Sequence, residues 1–224
     1  MTAGPDIRWM SERTLRVGLA DAISARATSR VVAAHKALAA AGIPALIDLT
    51  PAYTTVLLTF DPGSVDRDSA EILVRRALAE MADVEADAAA RVVEIPVCYG
   101  GEAGPDLEDV ATHTGLSRRE VIGAHAAGEY TVCFLGFMPG FGYLSGLPAR
   151  LHTPRLAQPR PRVPAGSVAI GGGQTGVYPR SSPGGWRLIG RTSLAMFDPA
   201  RAEPCVLRIG DRVRFVASSG SPGA

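Results

Sequence analysis

Between positions 130 and 197 the chain carries seven arginines (Arg150, Arg155, Arg160, Arg162, Arg180, Arg187 and Arg191) and no aspartate, glutamate or lysine. Residues 1–129 show the opposite balance, 12 basic against 19 acidic side chains. A guanidinium grips a carboxylate or phosphate through two parallel hydrogen bonds, which an ammonium cannot do. With no acid in the window, these arginines must be solvated, paired with the rest of the chain, or held for a small anion or an acidic partner. Arg155, Arg160, Arg162 and Arg187 are the expected anion-binding residues, with Arg191 beside them. His152 differs from the other three histidines because it falls among these arginines. The net charge of +1 excludes a nucleic-acid binder by bulk charge.

Other chemistries find no support. The run Gly171-Gly172-Gly173-Gln174-Thr175-Gly176 spells the dinucleotide fingerprint, but Pro179 blocks the helix that must follow it. A tight turn between strands accounts for these glycines. Val177 stands where a phosphate-binding loop needs lysine. Ala165 takes the place of the first glycine of a serine-hydrolase elbow. Cys98, Cys133 and Cys205 are widely spaced, and no histidine pair has ligand spacing, so no metal site is expected. Asp106, Glu108 and Asp109 read as acids favoured by a helix N-terminus. An odd cysteine count without a secretory leader fits a reducing cytoplasm, and no apolar run is long enough to span a bilayer.

The elements that must position these residues fall into two parts. Strands are predicted over 7–10, 14–19, 45–49 and 54–60, and helices over 20–41 and 69–82, the latter with Ile72, Leu73, Ala77 and Met81 on one face. Closed by a strand over 91–97, this order predicts a small α+β domain with two helices on one face of an antiparallel sheet. A short helix over 105–113 and a second opened by the capping box Ser117–Glu120 follow. Beyond Gly128, strands over 130–137, 167–171, 176–179, 186–191, 195–198 and 205–216, broken by glycine and proline, predict a barrel or sandwich. Phe134 and Phe137 are expected in its core. Pro139, Gly140 and Gly142 are expected to deny 138–144 regular structure, leaving Phe141 and Tyr143 on a loop that completes a pocket with a partner. The domains are placed at 1–90 and 91–224, with a loose tail from 218.

The block Phe134-Leu135-Gly136-Phe137-Met138-Pro139-Gly140-Phe141-Gly142-Tyr143-Leu144 resembles a signature of the family that holds the B component of 5-oxoprolinase, allophanate hydrolase subunit 1 and KipI. The resemblance continues through Thr153-Pro154-Arg155-Leu156, Pro159-Arg160, Arg162-Val163-Pro164-Ala165-Gly166-Ser167-Val168, Gln174-Thr175-Gly176-Val177-Tyr178-Pro179 and Ser182-Pro183-Gly184-Gly185-Trp186-Arg187-Leu188-Ile189-Gly190-Arg191-Thr192. Gly142 departs from it, standing where the family pattern has proline. The resemblance implies an α+β N-terminal domain followed by a mainly-β, cyclophilin-like barrel. It implies a subunit of an ATP-dependent hydrolase that opens 5-oxoproline to glutamate, working with a homologous second subunit and a LamB/YcsF-type subunit. Relatives of the same fold act as the carboxyltransferase half of urea carboxylase, or, as KipI does, inhibit a histidine kinase. On the oxoprolinase reading the arginines take the substrate carboxylate or ATP phosphate, Gln174 pairs with the lactam, and Tyr178 lies in the same block. Mg²⁺ would be held by the partner, because the arginine window offers no carboxylate.

Overall fold

The computed structural model describes residues 4–81 and 90–218. The chain divides into two compact units, Met1–Ala89 and Ala90–Ala224. Residues 83–89 of the segment expected to hold the domain boundary, residue 82 of the predicted helix and 219–224 of the predicted tail lie outside the described residues.

In the first unit, β1 (Asp6–Trp9), β2 (Thr14–Gly18), β3 (Leu46–Pro51) and β4 (Thr55–Phe60) form an antiparallel sheet in the order β1-β2-β4-β3. Alternation in β4 buries Val56, Leu58 and Phe60 on one face. Helix α1 (Ala25–Ala40) packs on that sheet through Val31, Ala34 and Leu38, and touches α2 (Arg67–Ala79). The predicted start of α1 at 20 is too early. Ser24 accepts a hydrogen bond from the Ala27 amide at 3.1 Å and caps the helix, leaving Ile23 exposed. Ile72, expected on the buried face of α2, is exposed, and Val74 and Leu78 are buried instead.

The strand expected to close this unit belongs to the other one. There, β5 (Val92–Tyr99) leads through α3 (Leu107–Thr114) and α4 (Arg118–Ala126) to β6 (Tyr130–Leu135) and β7 (Gly142–Ser145). A short ladder pairs β8 (Arg160–Val163) with β11 (Ser182–Gly184). β9 (Ser167–Gly171), β10 (Gln174–Val177), β12 (Arg187–Arg191) and β13 (Arg212–Ala217) complete the set. Seven strands close a barrel in the order β10-β7-β6-β13-β5-β12-β9, parallel only where β13 meets β5. Ile95, Val97, Val132, Leu144, Val168, Ile170, Ile189 and Phe215 form its core with Val110 and Val121 of the two helices. Ser117 and Glu120 make the capping box that opens α4. No helix among the described residues is long and apolar enough to cross a membrane.

The segment expected to lack regular structure contains β7, paired with β6 on one side and β10 on the other. Gly142 does not break it. A Cβ there would lie 2.8 Å from Leu207 Cδ1, so close packing requires glycine, or a neighbour that moves. Gly172 and Gly173 turn the β9–β10 hairpin, Gly172 at φ +65. The predicted strands over 195–198 and 205–216 reduce to a Phe197–Cys205 bridge and to β13. Prolines mask β8 and β11 in the sequence, and are tolerated in so short a ladder.

Candidate functional site

A second apolar cluster gathers Phe141, Val163, Ala169, Tyr178, Trp186 and Leu188, with Met138 and Tyr143 packed against it. Phe141 is 2% exposed, so the side chain expected on a docking loop is covered within its own unit. Phe137, expected in the core, is 60% exposed. Its φ of +67, with the Met138 amide donating to the Gly136 carbonyl at 2.8 Å, makes a strained γ-turn. The turn holds the ring edge-on to Phe141 and Tyr178. Phe134 stacks on Tyr143 at 4.5 Å.

Arginines border this cluster. The Arg155 guanidinium lies over the Trp186 ring, 5.6 Å from its centroid. Arg160 Nη2 donates to Asp106 Oδ1 at 2.6 Å, and its Nη1 is buried with no partner among the described residues. Arg187 bridges Asp109 at 2.9 Å and donates through Nε to the Pro154 carbonyl at 3.3 Å. Burial raises the pKa of the Tyr178 phenol; the Trp186 amide and the charges of Arg155 and Arg160 pull the other way.

The acids that neutralise Arg160 and Arg187 therefore lie in the same unit, at the start of α3. Asp106 makes no cap bond to its own helix; its Oδ2 accepts from the Leu188 amide at 2.7 Å while its amide donates to the Leu188 carbonyl at 2.9 Å. As dipole partners of a helix, these two acids carry no mark of this role in the sequence. The available signal is an acid-free arginine window with no acid-rich segment after it.

The remaining predicted residues are scattered. Arg162 is exposed, its Nε on Ser181 Oγ at 3.3 Å. His152 donates through Nε2 to the Leu147 carbonyl at 3.2 Å and covers the Gly173 turn, where a Cβ would meet its ring at 3.1 Å. Gln174 pairs in register with Gly171. Arg191 donates through Nε to the Ala165 carbonyl at 3.0 Å and lines a pocket of about 370 Å³. Among the described residues no group of three or more His, Cys, Asp or Glu is placed to hold a metal ion.

His125, an ordinary helix residue by its sequence context, is fully buried and doubly bonded. Thr175 Oγ1 donates to the Ala169 carbonyl at 2.9 Å, so it accepts from His125 Nε2, also at 2.9 Å. His125 Nδ1 then accepts from the Tyr99 hydroxyl at 2.7 Å. Desolvation pushes the His125 pKa down to about 3 and raises that of Tyr99.

A mainly-β unit closed as a barrel, with an arginine-bordered aromatic face, is a domain class suited to holding small anions in group-transfer and hydrolase assemblies. The chain belongs to the family described as carboxyltransferase domain, subdomain C and D, matched over residues 5–207. It is similar to the B component of 5-oxoprolinase from Bacillus subtilis (strain 168), 42% identical over 98% of this chain and 95% of that one. The B component of 5-oxoprolinase from Escherichia coli O157:H7 is 53% identical over 78% of this chain and 79% of that one. Among solved structures, TTHA0988 superposes with a TM-score of 0.82 at 40% identity, over 95% of this chain. This chain spans only 41% of TTHA0988.

Proposed function

We propose that this chain is one subunit of a heteromeric, ATP-dependent 5-oxoprolinase, opening 5-oxoproline to glutamate only together with a homologous second subunit. The observation that carries the reading is the near end-to-end likeness to a protein named as the B component of 5-oxoprolinase. TTHA0988 supports the partner requirement, because more than half of that longer polypeptide has no counterpart here.

The geometry is consistent with a division of labour. The barrel unit offers guanidinium groups and backbone turns suited to holding an anion and excluding water. Asp106 and Asp109, the acids nearest the arginines, are already committed to Arg160 and Arg187. In this reading Mg²⁺ for the phosphoryl transfer is held by carboxylates of the partner. ATP supplies the phosphoryl group that activates the lactam carbonyl. This chain's part is to bind and orient.

The test is reconstitution. The purified chain should turn over neither 5-oxoproline nor ATP. With a homologous second subunit and a LamB/YcsF-type subunit added, glutamate and ADP should appear together. Ring opening by the chain alone would sink the partner requirement. A reconstituted complex that instead transfers a carboxyl group from carboxybiotin would favour the chemistry in the family's description.

A further inference from the structure

Of the seven arginines in the window, two are tied to carboxylates (Arg160 and Arg187) and two lie over aromatic rings (Arg155 and Arg180). Arg191 is placed differently. Its Nε is fixed on the Ala165 carbonyl, it is half-buried, and among the described residues both terminal nitrogens are without a partner. They belong to the pocket of about 370 Å³ whose other walls include Pro179, Ser193, Leu194 and Ala195.

The frame of this pocket is rigid. Gly166, at φ +79, lies so close to the next strand that a Cβ would meet the Thr192 carbonyl oxygen at 2.2 Å. The Thr192 amide donates to the Gly166 carbonyl at 2.9 Å, and the Gly166 amide to the Tyr178 carbonyl at 2.7 Å. Thr192 Oγ1 accepts from the Leu194 amide at 3.1 Å, which fixes the far wall. A guanidinium held by Nε presents its two Nη groups side by side, the spacing of a carboxylate's two oxygens. Proline, leucine and alanine walls suit a compact apolar ring behind that carboxylate, and holding the fork in advance lowers the ordering cost of binding.

We propose that the Arg191 pocket is a carboxylate subsite that takes a small ring acid, with the carboxylate bidentate on the Nη1 and Nη2 groups of Arg191. That the acid is 5-oxoproline rests on the function proposed above; that the pocket takes a carboxylate does not.

Binding is measured on the isolated chain by ligand-observed NMR and calorimetry, with 5-oxoproline, its carboxylate-free analogue 2-pyrrolidinone, and inorganic phosphate as probes. 5-Oxoproline should bind at least roughly tenfold more tightly than 2-pyrrolidinone, as loss of a fork interaction predicts. Arg191→Lys, which keeps the charge and loses the fork, should weaken 5-oxoproline binding by about tenfold or more. Ala195→Leu, which fills the pocket without touching the arginine, should do the same, and decides the matter if Arg191→Lys fails to fold. Arg214→Gln, on an exposed side chain of β13, should change nothing. Unchanged binding in both pocket variants, no 5-oxoproline binding to the native chain, or phosphate binding in its place would each overturn the subsite. If the assembled complex opens 5-oxoproline but this chain alone binds none, only the subsite fails. If the chain binds the acid through Arg191 but no complex opens it, the subsite stands and the oxoprolinase reading falls.

Discussion

His125 is satisfied only while neutral: one ring nitrogen accepts from Tyr99, the other donates to Thr175, and the ring is fully buried. The unfolded chain takes up a proton near pH 6.5, whereas the folded chain resists until about pH 3. Between those values the unfolded state binds more protons, so stability must fall as pH is lowered, by about 1.4 kcal/mol per pH unit from this group. Urea denaturation at pH 6.5 through 5 should show that slope, and His125→Gln should flatten it. His35, half-buried and also lowered by desolvation, contributes in the same sense and persists in the variant. An unchanged slope in His125→Gln would remove His125 from the acid response. Asp106 supplies the second residue-scale expectation. Asp106→Ala strips partners from Arg160 and from the buried Leu188 amide, and should cost about 2–4 kcal/mol, discounted for the part-exposed guanidinium. An Asp106→Ala chain as stable as the native one would show the pair to be ornamental. At this scale the arginines are legible in the sequence as a set, because charge composition is a one-dimensional property. Their partners are not, since Asp106 and Arg160 meet only once the chain has folded β8 and β12 against the start of α3.

At the scale of elements, glycine does two opposite things, and the structure separates them. Gly104 lies against β12 so closely that a Cβ would fall 2.1 Å from the Ile189 carbonyl oxygen. Gly104→Ala must therefore displace backbone and should cost roughly 2–4 kcal/mol. Gly123, inside α4, has nothing within 4 Å of its missing Cβ. Gly123→Ala should stabilise by about 0.5–1 kcal/mol, through lost freedom in the unfolded chain. Thermal denaturation of the pair checks both signs, and equal effects would contradict the packing. The same ambiguity explains why sequence and structure part over 138–144. Glycine and proline there have the composition of a break, but Gly142 permits the approach of Leu207 and strand pairing continues through it. Phe141 then belongs to the aromatic cluster, and Phe141→Ala should cost about 3–5 kcal/mol as a cavity, read by the same melts. Phe137 is beyond anticipation, because a positive φ at an aromatic residue leaves no mark in composition or period.

At the scale of the whole molecule, charge and fold divide along the same line. All seven barrel strands come from 92–217, and every arginine of the acid-free window lies within that range. The strand over 91–97 is the one element that sequence assigns across that line, since an apolar run states that it will be buried but not which sheet it will join. Its parallel pairing with β13 links positions more than a hundred residues apart, and Arg91 reinforces it through Asp211 and the Val206 carbonyl. Because barrel closure draws on no residue before 92, a fragment spanning 90–224 should fold by itself. Circular dichroism should show a β-rich spectrum, and its melt should be a single cooperative transition. A shorter fragment beginning at 100 lacks β5, which would leave both β12 and β13 with an open edge. It should be unfolded or aggregated. A cooperative melt from the shorter fragment, or none from the longer one, would show that the barrel is not the folding unit of this chain.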